Sequence, residues 1–127
     1  MHEDFVTFEQ AQQLKELGFD WWGSTIYVDG HLTPTFILSY AYIERDNCLP
    51  APTIYLVQKW FREVHGIDID IDSVYHMLDT GNKIMYGLRI GIQKTFQKEF
   101  YLNYDSHKEA LSTGIDHAIK IIKQQNK

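Results

Sequence analysis

After Gly66 the hydrophobic spacing of this chain changes period, and that change limits what it can fold into. Before it, Ile54, Val57, Phe61 and Val64 recur at helical spacing, with Trp60 beside the stripe. After it, in "IDIDIDSVYH", isoleucine and aspartate alternate from Ile67 to Asp72. Apolar residues three and four apart share one face of a helix, whereas alternate residues share one face of a strand. The period-two pattern then returns twice. Ile84, Tyr86, Leu88, Ile90 and Ile92 carry it first, and Phe100, Leu102 and Tyr104 follow. "DTGN" reads as the turn between the first two strands and "QKTFQK" as a looser connection between the last two.

The flanking segments complete the pattern. Thr7 with Gln10 is a capping box that opens a helix carrying Phe8, Ala11, Leu14 and Leu17, and Gly18 stops it. "STIYV" and "HLTPTFILSYAYI" flank Asp29-Gly30, which predicts a hairpin with extended structure to about Ile43. "ERDNCLPAP" reads as a loop closed by Pro50 and Pro52, and the second helix runs from Pro52 or Thr53 to His65. Ser106 with Glu109 opens a C-terminal helix bearing Leu111, Ile115, Ala118, Ile119 and Ile122 on one side. The sequence therefore predicts a single α+β domain over residues 1–127. Its antiparallel sheet, a C-terminal three-strand meander plus an N-terminal hairpin, packs with three helices.

Charge and composition then restrict function. A net charge of −5 argues against general nucleic-acid binding, which depends on neutralising phosphates. The lysines of "KIIKQQNK" read as a solvated helix end. No apolar run approaches the roughly 20 residues that cross a bilayer, and "MHEDFVTFEQ" is acidic, unlike a signal peptide. A single cysteine, Cys48, leaves no internal disulfide to form and fits a reducing compartment, so a cytoplasmic location is expected.

Asp68, Asp70 and Asp72 invite a metal reading, but their spacing argues against it. Alternate side chains on a strand lie about 7 Å apart, too far for three neighbours to close on one ion. A calcium loop starting at Asp68 would need glycine where the chain has Ser73, and a closing glutamate where it has Asp79. The isoleucines seek the core and the aspartates are left on the wet face, repelling one another by roughly 0.6 kcal/mol per neighbouring pair before screening. No metal and no cofactor is assigned.

Two features point to binding. Arg89 lies on the strand face opposite Tyr86, with Gly87 and Gly91 two residues to either side. An arginine between cleared positions suits a carboxylate or phosphate, and the plainer reading pairs it across the sheet with Asp68 or Asp70. The aromatic residues exceed what a small core needs, so Tyr86, Tyr101 and Trp22 are candidates to stack on a ligand held by Arg89. In "FILSYAYI", Phe36, Leu38, Tyr40 and Tyr42 make one apolar face and Ile37, Ala41 and Ile43 the other. A strand apolar on both faces is covered on both; a second copy of the chain is the expected cover, and the first helix folding over that face is the alternative.

Catalytic patterns are sparse. The six histidines lack HxH or HxxxH spacing. His107 is expected to be solvated in its helix's first turn, and Cys48 has no base near it in sequence. "GLRIG" lacks the last glycine and the helix of a dinucleotide turn, and no catalytic residue is assigned.

"FVTFEQAQQLKELGFD", "APTIYLVQKWFREVHGIDIDI" and "YDSHKEALSTGIDHAIK" together resemble a group of small proteins without an assigned activity. Phages, prophages and mobile elements of gut Bacteroidota encode that group. The resemblance implies an accessory gene product in a bacterial cytosol. The chain departs from the group in "GHLTPTFILSYAYIERDN", which is more hydrophobic. The reading that unites these features is a self-associating, non-enzymatic binding module for a protein or a small anionic ligand. A counter-defence protein that sequesters an immune nucleotide signal is its concrete form. A small hydrolase with a His/carboxylate site and a purely protein–protein assembly factor are the alternatives.

Overall fold

A computed structural model of the chain describes residues 4–21, 25–34, 48–78, 81–92 and 95–125, with side chains placed except at 74–78, 82, 83 and 95–103. Helix α1 spans Phe8–Glu16, and its capping box forms as the sequence predicts: Gln10 N donates to Thr7 Oγ1 at 3.1 Å, and Thr7 N donates to Gln10 Oε1 at 2.9 Å. Strands β1 (Thr25–Val28) and β2 (His31–Pro34) form the expected hairpin. Its two-residue loop has positive φ at both Asp29 (51°) and Gly30 (85°), the signature that makes Asp-Gly the favoured hairpin turn. The predicted extension beyond Pro34 lies outside the described residues.

Of the loop expected at residues 44–52, residues 44–47 lie outside the described residues and the next three are a strand. Cys48–Pro50 forms strand β3, antiparallel to β1, with Tyr27 opposite Leu49. Its three residues are all buried, and Pro50 suits a sheet edge because it has no N–H to offer a further strand. The chain then runs antiparallel to its own N-terminus. Val6 N donates to Pro52 O at 3.0 Å and Ile54 N to Asp4 O at 2.9 Å.

Helix α2 spans Ile54–His65, and both ends match the sequence signals. Thr53 Oγ1 caps it by accepting from Leu56 N, and Gly66 ends it in the left-handed region at φ 67°. Ile54, Val57, Trp60 and Phe61 are buried, but Val64 is 54% exposed. The buried stripe therefore leans toward Trp60 and leaves the predicted Val64 position in solvent.

The meander consists of β4 (Ile67–Leu78), β5 (Gly81–Ile92) and β6 (Thr95–Tyr104) in sheet order β4-β5-β6, separate from the β2-β1-β3 sheet. The β5–β6 connection is tighter than predicted, because Thr95 to Lys98 of "QKTFQK" already belong to β6. Two register shifts interrupt that pair. Between Tyr86 and Leu88, β5 advances two residues while β6 covers four, Tyr104 to Phe100; a second shift falls between Ile90 and Gly91. The extra residues are on β6, so Gly87 and Gly91 lie on β5 opposite or beside its bulges.

Helix α3 (His107–Gln125) packs on β4 and β5 and on α2. Leu111, Ile115, Ala118, Ile119 and Ile122 are buried as the periodicity requires. Gly114 sets how closely the helix meets the sheet: a Cβ there would stand 2.5 Å from Ile69 Cγ2 and 2.8 Å from Leu88 Cδ1. One buried cluster joins α1, both sheets, α2 and α3. The result is the predicted α+β fold, with α2 and α3 packed on the meander and α1 packed on α3 and β3.

Candidate functional site

β5 presents two surfaces, and alternation assigns its residues between them. Leu88 and Ile90 enter the core against α3. Tyr86, on the same face, pairs with Ser73 on β4 and Tyr104 on β6. Its half-buried ring meets the edge of His107, the first residue of α3, at 6.0 Å and 83°. Tyr55 of α2 also contacts the His107 ring, stacked at 6.0 Å and 29°. Three elements therefore build a continuous aromatic shelf of Tyr55, His107 and Tyr86. The expectation of a solvated His107 is corrected here: it is half-buried and in contact with two tyrosines, which offer its ring more apolar contact than water does.

Charged groups border the shelf. Tyr55 Oη donates to Asp4 Oδ2 at 3.4 Å, and Lys108 Nζ lies 3.5 Å from Asp4 Oδ1. Burial first, then the Asp4 charge and this hydrogen bond, raise the Tyr55 hydroxyl's pKa above the usual phenol value, so it remains a donor. Tyr55 is nevertheless 47% exposed.

Arg89 lies on the opposite face of the sheet. It stands across from Asp70 on β4 and Glu99 on β6, and its guanidinium pairs with Asp72, diagonal to it. Asp70 and Asp72 are exposed and Asp68 is half-buried, which makes this the acidic solvent face expected from the alternation. Among the described residues no group of three His, Cys, Asp or Glu side chains is arranged to hold a metal ion. Among the described residues, an added Cβ at Gly87 would meet nothing within 4 Å.

The sequence-predicted site residues are thus divided. Arg89 and Tyr86 point to opposite faces, and one small ligand cannot meet both within one copy of the chain. Tyr101 lies in β6, but its side chain is outside the described set. Trp22, Phe36, Leu38, Tyr40 and Tyr42 also lie outside it. Sequence does not single out Tyr55, His107 and Lys108 as a binding group, because Tyr55 is far from the adjacent pair His107 and Lys108 along the chain. Cys48 is buried in β3 with 1% exposure, a core position rather than that of an accessible nucleophile.

Two further polar groups are buried. Tyr27 Oη donates to Val6 O at 2.6 Å, and burial raises its pKa. His65 packs edge-on against Trp60 at 4.6 Å, and its buried Nε2 has no hydrogen-bond partner among the described residues. Burial lowers its pKa. No described helix is long and apolar enough to cross a membrane. Compared with known protein families, curated proteins and solved structures, the chain matches none.

Proposed function

We propose that the chain is a non-enzymatic binding module that works as a homo-oligomer and takes a small, planar, anionic ligand of nucleotide type on its aromatic shelf. The observation that carries this reading is the stacked array of Tyr55, His107 and Tyr86, with the Tyr55 ring half open to solvent and Lys108 at its border. Stacking on a tyrosine face suits a base, and the lysine suits a phosphate, which would compete with Asp4 for the ammonium. Asp4's two oxygens engage Tyr55 and Lys108. That arrangement favours holding a ligand over orienting His107 as a general base.

The resemblance to mobile-element proteins gives this reading its concrete form: a cytoplasmic counter-defence protein that sequesters an immune nucleotide signal. The experiment is calorimetric titration of linear and cyclic nucleotides into the wild-type chain and into Tyr55→Ala. Binding by the wild type that weakens at least tenfold in the variant supports the shelf. Equal binding by both moves the ligand elsewhere, and no binding by either removes the nucleotide class.

A further inference from the structure

Strand β4 has two halves that treat their outer edge differently. In the first half, Asp68, Asp70 and Asp72 alternate along the strand, and Gln58 of α2 donates its amide to Ile69 O at 2.6 Å. Charge and a side-chain cap are common ways to blunt a strand edge. The second half, "SVYHML" from Ser73 to Leu78, has no Asp, Glu, Lys, Arg, Pro or Gly.

The helices meet only the start of that half: His107 at the head of α3 touches Tyr86, the partner of Ser73. α2 has 12 residues and is about 18 Å long. It leads into β4 through the single residue Gly66. At about 3.4 Å per residue β4 travels that distance by roughly Ile71. β6 stops as well, since its last pairing with β5 is Tyr104 with Tyr86. From Val74 to Met85 the described sheet is a two-stranded ribbon, and Ile84 on it is 52% exposed. Two strands alone are marginal in water and need a third strand or a packed face.

The hydrogen-bond parity shows what the edge offers. β4 and β5 close on Leu78 opposite Gly81, and a two-residue hairpin closes on a hydrogen-bonded pair. Leu78 and every second residue before it therefore bond to β5, while Ser73, Tyr75 and Met77 turn N–H and C=O outward. The outward Ile69 carbonyl that accepts from Gln58 follows the same parity. Among the described residues no strand lies against this side of β4. The ribbon's other flank, Asn82 to Ile84, is shorter and carries Lys83.

We infer that two copies of the chain join β4 to β4 across a twofold axis at Tyr75, making one continuous antiparallel sheet from two meanders. Ser73 then bonds with Met77 of the second copy, and Tyr75 with its own counterpart, so the outward groups of the unguarded half are met in both copies. Charge selects this register. With the axis at Tyr75, the two Asp72 residues lie about 20 Å apart along the seam, beyond the Debye length of about 8 Å. An axis at Ser73 would bring the acidic runs together and demand the Ile69 edge that Gln58 occupies. This inference rests on the self-association in the proposed function and replaces an unspecified seam with a named one.

Parity also supplies the test. Proline at position 75 removes an outward N–H and leaves the β4–β5 ladder its bonds, a change that an edge strand tolerates. Sedimentation velocity over a wide concentration range should show a wild-type dimer, and Tyr75→Pro should be monomeric with an unchanged circular dichroism spectrum. Amide hydrogen exchange on the wild type covers the case in which the variant does not fold. Protection of the Ser73, Tyr75 and Met77 amides should rise with protein concentration. A wild type that is monomeric throughout overturns self-association itself. A dimer that persists in Tyr75→Pro, or one whose three amides exchange as in the monomer, overturns only this seam.

Discussion

Gln10 in α1 donates its side-chain amide to Asp116 Oδ1 in α3 at 3.1 Å, joining residues 106 positions apart. The same nitrogen lies 3.1 Å from both Ser112 O and Ser112 Oγ, while Oε1 accepts from Thr7 N. Gln10 is 3% exposed, whereas its acceptors Ser112 and Asp116 are half-buried and exposed, so its loss removes a bridge between the two helices that water replaces only at the Asp116 end. Gln10→Ala is expected to destabilise the fold by about 1–3 kcal/mol. Urea denaturation measures this, and an unchanged midpoint would show that the bridge contributes nothing net.

Gly114→Ala tests the seat of α3 on the sheet. Alanine is the better helix former by about 1 kcal/mol. Its Cβ, however, would overlap the branched Ile69 side chain, which has little freedom to move aside. Overpacking costs about 1–3 kcal/mol, and the expected net effect is a lower melting temperature. A rise would mean that the helix can lift without penalty.

His65 makes stability depend on pH in a known direction. Burial holds its folded pKa below the unfolded value of about 6.5. Above that value both states are neutral and the contribution is constant. As pH falls through it, the unfolded chain binds the proton first and the fold loses stability. Denaturation series at neutral and mildly acidic pH should show a loss in the wild type that is smaller in His65→Phe. Equal slopes would assign the acid sensitivity to other groups.

Arg89→Ala and Tyr86→Ala separate the two faces of β5. The Arg89–Asp72 pair is about half exposed on both sides, at 45% and 48%, and exposed pairs contribute about 0–1 kcal/mol. Arg89→Ala should therefore leave both stability and shelf binding close to wild type. Tyr86→Ala should weaken nucleotide binding by removing the ring against His107. If Arg89→Ala alone abolishes binding, the ligand lies on the acidic face.

Local signals were legible in the sequence and distant ones were not. Thr7, Thr53 and Gly66 act within one helical turn of themselves, so the ends of α1 and α2 follow from neighbouring residues. The alternation of Ile67 to Asp72 predicts which face of β4 is wet because a strand's side chains have no other choice. β3 is not legible in the sequence, because three residues ending in Pro50 carry no period to read. Gln10 reads locally as a cap, and only its fold-level neighbour Asp116 reveals its second task. The shelf is hidden for the same reason, since Tyr55, Tyr86 and His107 come from three separate elements.

Native mass spectrometry of protein purified gently from cells, without refolding, tests the central claim most directly. A ligand-holding oligomer should appear as a dimer of the 14.9 kDa chain carrying extra mass of nucleotide size that is lost on mild activation. A bare monomer under the same conditions would contradict both the self-association and the ligand.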